Sequence, residues 1–355
     1  MDFPAMRPAV LALHLSYQCP LQCAHCCVEA GPKRRVALRA QQIQSLVQQA
    51  AQDCGVRGIG ITGGDPFVHP ELVQIALDEA RQHGLDTHVV TSAYWAKSLA
   101  EAGRKLDPLA GSGLGALYIS YDDFHEPYVD FQRIAHAYQA AVARGIRVHF
   151  LVTTGPTSTI TPDWIRARIT ALGCYRPELT SMAHGSVVAT GRAAISEGTT
   201  GGNPTDGQSE KYLGACPILF RRLAVNPDGN LLACCGTVPF YQELCIGHVT
   251  THRLSDAVNQ MLNNPLLKWI AFEGPVQVLK TVTAQDRHPL TEASFDSICQ
   301  ACDRLFSTPG LARRAHAAAS AQHERLALEE LIFQSSGLFP QRNATNTSLP
   351  GADHA

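Results

Sequence analysis

The stretch that decides the fold is Val10–Cys27, VLALHLSYQCPLQCAHCC. Residues 9–15 form a short apolar run of strand length and read as a buried β-strand. Directly behind it stand Cys19, Cys23 and Cys26, with three and then two residues between them. Three thiolates on one short loop can hold three irons of a [4Fe–4S] cluster, for which cysteine is the usual ligand. The fourth iron then stays open, as catalytic metal sites keep a vacant position. A structural zinc loop is the competing reading, and it needs a fourth ligand, which His25 or Cys27 could supply.

Beyond this loop the chain alternates between strand and helix patterns. Apolar residues at helical spacing (Ile43, Leu46, Val47, Ala50) predict a helix over 40–53, followed by a strand at 57–62. Pro70 opens the next helix and Gly84 lies past its end, the usual asymmetry. Strands follow at 86–91, 115–121, 146–153 and 185–189, with helices at 94–102, 127–144 and 162–172. This alternation predicts an α/β fold with a parallel sheet and outer helices. Six strands are too few for a closed eight-stranded barrel, so the expected architecture is an open, partial (β/α)6 barrel. Ligands of such sheets bind at the carboxyl ends of the strands.

Of the 355 residues, 45% are hydrophobic and 17% charged, as in a globular protein with a large core. The formal charge is −2 and no basic run stands out, so neither nucleic acid nor an anionic membrane is an expected partner. No apolar stretch reaches the ~20 residues of a membrane span, and the first ten residues do not read as a signal peptide. A cytoplasmic protein is expected. Twelve cysteines are a large excess, and their clustering in such a chain favours metal binding over disulfides. Residues 195–210, rich in Gly, Thr and polar residues, read as a linker, and 343–355 as a disordered tail.

Two further segments in the first half carry chemistry. ITGGDPFVHPEL follows the second strand; Gly63 and Gly64 lack Cβ atoms, which permits a close approach to a ligand. ALYISYDDFHEPY puts Ser120, Asp122 and Asp123 at the carboxyl end of the fourth strand, with His125 and Tyr128 nearby. Either acid is a candidate proton acceptor, set against the alternative of a solvated acidic loop.

In the second half, CPILFRRLAVNPDGNLLACCG contains a turn, Pro227–Asn230, between two apolar runs and reads as a β-hairpin. The hairpin can bring Cys216 and Cys234 together, and CQAC supplies Cys299 and Cys302. Four thiolates suffice to ligate a second [4Fe–4S] cluster completely, or alternatively one zinc ion. Successive strand residues point to opposite faces, so Cys234 and Cys235 do not both aim at one cluster. Cys235 is left as a spare thiol, either a hydrogen-atom donor to a substrate radical or a small buried residue. Cys245 is unassigned, and Cys54 and Cys174 read as ordinary buried cysteines.

The cysteine loop after the first strand resembles the signature of the radical S-adenosylmethionine (SAM) superfamily. That resemblance implies one SAM-binding [4Fe–4S] cluster on Cys19, Cys23 and Cys26. Family members carry an aromatic residue where this chain has His25, and Gly-Gly-Glu-Pro where it has Gly63-Gly64-Asp65-Pro66. By resemblance, Gly63, Gly64, Asp65, Ser120 and Arg192 of the Gly-Arg-Ala triplet contact SAM. The C-terminal cysteines resemble the SPASM and twitch group, in which a glycine and a cysteine are separated by four residues, as Gly229 and Cys234 are. That implies a second, auxiliary [4Fe–4S] cluster on Cys216, Cys234, Cys299 and Cys302. No cysteine follows Cys302, which suits the shorter twitch form. The implied domains are a radical SAM core at 1–194, the linker, an auxiliary-cluster domain at 211–310, a C-terminal helix at 311–342 and the tail.

The resemblance further implies reductive cleavage of SAM to a 5′-deoxyadenosyl radical, with an electron donor such as flavodoxin or ferredoxin as partner. The substrate is expected to be a ribosomally made peptide. The alternatives are a small molecule, such as an aminoglycoside precursor, that is dehydrogenated or epimerised, and, more distantly, a non-catalytic zinc-binding module. Asp122, Asp123 and Cys235 are the candidates for the substrate side.

Overall fold

Val10–His14 forms β1, and its leucines Leu11 and Leu13 are fully buried. The computed structural model describes residues 8–155, 157–195, 213–236 and 241–328. After β1 come α1 (Ala40–Asp53), β2 (Gly58–Thr62), α2 (Pro70–Gln82), β3 (Asp86–Thr91), α3 (Leu99–Gly111) and β4 (Ala116–Ser120). Then follow α4 (Phe131–Val142), β5 (Arg147–Thr154), α5 (Pro162–Ala171), β6 (Thr180–Ser186) and the short α6 (Arg192–Ile195). The first six strands lie side by side in chain order, and every pair is parallel. The helices cover the outside; α1 buries Ile43, Leu46, Val47 and Ala50, and α2 starts at Pro70 and stops before Gly84 at φ +65°.

Three elements differ from the sequence expectation; the helix read at 127–144 starts at Phe131, where Asp130 caps it by accepting the Arg133 N–H, and the third helix runs to Gly111 rather than 102. The sixth strand is Thr180–Ser186, not 185–189, because Thr180 pairs with Val148 and the register runs from there to Ser186. Val187 and Val188 then leave the sheet and line a cavity. The third helix begins at Leu99, not at 94, because the Ser98 hydroxyl accepts the Glu101 N–H and caps it there.

The C-terminal part is built onto the same sheet. β7 (Arg222–Val225), β8 (Asn230–Leu232) and β9 (Cys245–His248) are joined antiparallel, and β7 pairs parallel with β1. The sheet therefore has nine strands in the order β6-β5-β4-β3-β2-β1-β7-β8-β9. The expected hairpin is the β7–β8 turn, closed by Gly229 N–H to Asn226 O at 2.9 Å. Helices α7 (Leu254–Leu262), α8 (Pro265–Glu273), α9 (Pro275–Thr283), α10 (Ile298–Ser307) and α11 (Leu311–Ala321) complete the chain. The linker read at 195–210, apart from Ile195, the tail at 343–355 and residues 329–342 lie outside the described residues. Among the described residues no helix is long and apolar enough to cross a membrane.

Candidate active site

Six segments, the sixth being residues 183–188 of β6 and the chain just after it, converge on one cavity of ≈ 310 Å³ at the carboxyl ends of the parallel strands. That is within the usual size of a small-molecule site, about 300–1,000 Å³. Its wall contains Cys19, Cys23 and Cys26 from the loop after β1, Gly63-Gly64-Asp65 after β2, Thr91 and Ser92 at the end of β3, Ser120 and Asp122 at the end of β4, and Thr153 on β5.

The cysteine loop is held from several sides. Cys19 Sγ accepts the Leu21 N–H and Cys26 Sγ the Ala30 N–H, both at 3.4 Å. Arg192 lies across the loop and donates from Nη1 to Cys23 O at 2.6 Å and from Nη2 to Ala30 O. A Cβ on its neighbour Gly191 would lie 2.3 Å from Cys27 O, so this turn packs directly on the loop's backbone. The triplet thus clamps the cysteine loop through carbonyl groups.

The double glycine has a similar task. A Cβ on Gly64 would lie 2.0 Å from Gln18 O, and one on Gly63 2.5 Å from Ser16 O. The close approach expected here is made to the protein's own cysteine loop, and Gly64 N–H donates to Ser16 O at 2.6 Å. Asp65 is 2% exposed, and its carboxylate accepts from Thr91 Oγ1 (3.0 Å), Ser92 N–H (2.9 Å), Ser92 Oγ (2.8 Å) and Phe67 N–H (3.1 Å). Burial raises its pKa, against the pull of these donors. The acid ties the ends of β2 and β3 together at the cavity wall.

The two adjacent aspartates separate. Asp122 is 1% exposed and accepts from His125 Nδ1 (2.7 Å), Phe124 N–H (3.0 Å), His125 N–H (3.2 Å) and Thr153 N–H (3.1 Å). Burial opposes its ionisation, but these donors, the His125 ring foremost, leave its pKa lowered. Burial likewise opposes protonation of His125, yet its bonds to Asp122 and to Cys23 raise it to about 10. Asp123 is not among the cavity-lining residues; it staples the chain at Thr159, accepting its N–H at 3.1 Å and its hydroxyl at 2.6 Å. Tyr128 is exposed and donates to Gln22 O at 3.0 Å. His25 faces the pair, its ring centroid 5.0 Å from that of His125 and 4.7 Å from that of Phe124. Sequence reasoning missed this His25–Asp122–His125 group; the spacing of Asp122 and His125 was its only local signal.

The second cysteine set is assembled by the hairpin and by α10. Ser297 caps α10 by accepting the Gln300 N–H, which puts Cys299 and Cys302 in its first two turns, three residues apart and on one face. The Cys216 N–H donates to Ile270 O of α8 at 3.3 Å. Burial foremost, then the charges of Cys216, Cys235, Cys302 and Cys299, push the Cys234 thiol well above its usual range. Cys235 instead packs with Ala12, Ala224 and Leu232, beside Cys245, away from the residues lining the cavity. Cys54 is buried, whereas Cys174 is half-buried with its thiol on Ile169 O. Cys27 lines the cavity, and its thiol is pushed up to about 12 chiefly by burial and then by Cys26.

Both cysteine sets fit clusters better than single ions. Tetrahedral zinc with Zn–S near 2.3 Å holds its sulfurs about 3.8 Å apart. Among the described residues, the only three potential metal ligands whose atoms gather within 4.8 Å are His25, Asp122 and His125, and no set of cysteines does. A cubane places each thiolate on a separate iron, so its ligands stand farther apart. Burial, with the Asp65 charge next, pushes Cys19 up to about 12, so loading the loop with metal would release protons.

The sheet and these sites define a SAM-dependent iron–sulfur enzyme. The family comparisons agree: residues 13–163 match the Radical SAM superfamily, and residues 216–303 match SPASM, an iron–sulfur cluster-binding domain. The chain thus carries a radical SAM domain and a SPASM domain, which imply SAM, a SAM-binding [4Fe–4S] cluster and auxiliary iron–sulfur binding. It is 19% identical over 308 residues to YydG of Bacillus subtilis (strain 168), provisionally named a peptide biosynthesis protein; 85% of this chain and 93% of that one are covered. It is 30% identical over 152 residues to the PqqA peptide cyclase of Gluconobacter oxydans (strain 621H), covering 41% of this chain and 40% of that one. A structure of native anSMEcpe with bound AdoMet and Cp18Cys peptide aligns over 88% of this chain and 99% of its own, at 12% identity and a TM-score of 0.49.

Proposed function

We propose that this radical SAM enzyme modifies a ribosomally made peptide. The observation that carries the reading is the cavity whose wall holds the three-cysteine loop together with Gly63, Gly64 and Asp65. The peptide assignment is supported by the names of YydG and the PqqA peptide cyclase.

In this reading Cys19, Cys23 and Cys26 hold the SAM-binding cluster, and Cys216, Cys234, Cys299 and Cys302 hold the auxiliary one. When bound, SAM and the reduced cluster supply a 5′-deoxyadenosyl radical that takes a hydrogen atom from the substrate. The chain's own residues position that event. Gly63, Gly64 and Arg192 keep the cysteine loop against the strand ends. Asp65 and Ser120 shape the SAM side of the cavity, and the Asp122–His125 pair faces the substrate side. Asp123 and Cys235 face away from the cavity and serve as structural residues.

The test is anaerobic reconstitution followed by reduction with dithionite and SAM, with and without the short peptides encoded beside the gene. The expected result is about eight irons per chain, 5′-deoxyadenosine, and a peptide whose mass changes in step with it. Full cleavage of SAM with every such peptide unmodified would refute the peptide assignment. A colourless protein saturated with zinc would refute the enzyme.

A further inference from the structure

Between Glu29 and Asp53 the chain carries Lys33, Arg34, Arg35 and Arg39 and no carboxylate, although its formal charge overall is −2. All four cations are exposed. Arg34 belongs to the cysteine loop: its guanidinium donates to Val28 O (2.8 Å) and Glu29 O (3.2 Å) and lies 4.0 Å over the Tyr17 ring. Lys33 and Arg35 enter no ion pair among the described residues. Between these cations and Arg39, Val36 leaves 49% of its surface uncovered, one of the few large apolar side chains so exposed.

The segment is bonded straight to the cluster loop. Cys19 N–H donates to Gly31 O at 3.3 Å, and Arg34 N–H donates to the same carbonyl at 3.2 Å. Ser16 and Ala37 are bridged on the other side of the loop, and Leu38 N–H donates to Leu15 O at 2.9 Å. A protein seated on residues 33–39 would therefore reach the Cys19 loop through a few bonds, on a surface made of none of the cavity-lining residues.

We propose that Lys33, Arg35, Val36 and Arg39 form the docking surface for an acidic one-electron carrier, a reduced flavodoxin or ferredoxin, that feeds the SAM-binding cluster. This rests on the Cys19 loop holding that cluster. Each encounter moves one electron and no atoms: the carrier is oxidised by one electron and the cluster is reduced by one. Opposite charges speed such encounters, and a small apolar centre suits a contact that must part after every transfer. Nothing in the patch has to enter the substrate cavity, so carrier and substrate can be bound together.

The test compares two reductants on the reconstituted holoenzyme. Lys33→Glu/Arg35→Glu should retain its iron and cleave SAM at the wild-type rate with dithionite, which needs no docking. With NADPH, flavodoxin reductase and flavodoxin at low salt, its rate of 5′-deoxyadenosine formation should fall about tenfold or more. Added salt should slow the wild type and leave the variant little changed. Lys33→Gln/Arg35→Gln, which removes charge without inverting it, should fall between. Equal flavodoxin-driven rates in variant and wild type would overturn the proposal. So would unchanged flavodoxin kinetics with weakened peptide binding, which would assign the patch to an acidic substrate segment. Failure of dithionite to drive cleavage in the wild type would instead bring down the enzyme reading, and this proposal with it.

Discussion

His125 Nδ1 lies 2.7 Å from Asp122 Oδ1 in the cavity wall, and the contact gives two neighbouring aspartates different fates. Asp122 is buried with its histidine, whereas Asp123 is bonded to the Thr159 loop. Removing one partner of a buried pair strands the other, at a cost of about 3–5 kcal/mol. Asp122→Ala should therefore lower the urea midpoint strongly and abolish product. Asp123→Ala, which removes the bonds from Thr159 and Ile160 to a partly exposed carboxylate, should cost less, about 1–2 kcal/mol, and keep turnover. Similar midpoints for the two variants would show that the pair is not buried as described.

Gly64 meets backbone, which no rotamer change can relieve. Its Cβ would stand 2.0 Å from Gln18 O, so Gly64→Ala must displace the chain just before Cys19. The expected outcome is a loss of about four of roughly eight irons, with the auxiliary cluster retained. Gly111→Ala is the matched control, because nothing lies within 4 Å of its Cβ position. Full iron content in Gly64→Ala would contradict the packing.

Arg192 joins residues far apart in sequence, reaching Cys23 O at 2.6 Å and also Ala30 O. Hydrogen bonds from a charged group contribute about 1.5–3 kcal/mol each. Arg192→Ala should loosen the cysteine loop, lower the melting temperature and shed iron from the first cluster before the second. Arg192→Lys, lacking the fork, should restore only part of the loss. If Arg192→Ala assembles both clusters normally and binds SAM poorly, the guanidinium acts on SAM directly.

Cys234 and Cys235 provide the sharpest comparison of neighbours. Cys234 packs against the main core with Cys216, Cys299 and Cys302, while Cys235 packs with Ala12, Ala224 and Leu232. Cys234→Ala should lose the auxiliary iron, and Cys235→Ala should keep both iron and product. The reverse pattern of iron loss would put the hairpin in the wrong register. Loss of product alone in Cys235→Ala would restore it as a hydrogen-atom donor.

Much of this protein was legible locally. Helical spacing in α1, Pro70 and Gly84 around α2, and the strand before Cys19 each express a short-range preference that needs no partner. The alternation of such segments determined a parallel sheet, and therefore the end of the sheet where the chemistry lies. The cysteine spacings likewise determined which thiols share a loop. What the tertiary structure alone decided is what those loops touch. Pairing of β7 with β1 joins residues some 210 positions apart in one sheet, and no pattern within either strand specifies its neighbour. The same holds for Gly64 against Gln18 and Arg192 against Cys23. Asp122 and Asp123 are equivalent as letters; burial and hydrogen bonding, which depend on the whole packed chain, put one in the cavity wall and leave the other on a surface loop.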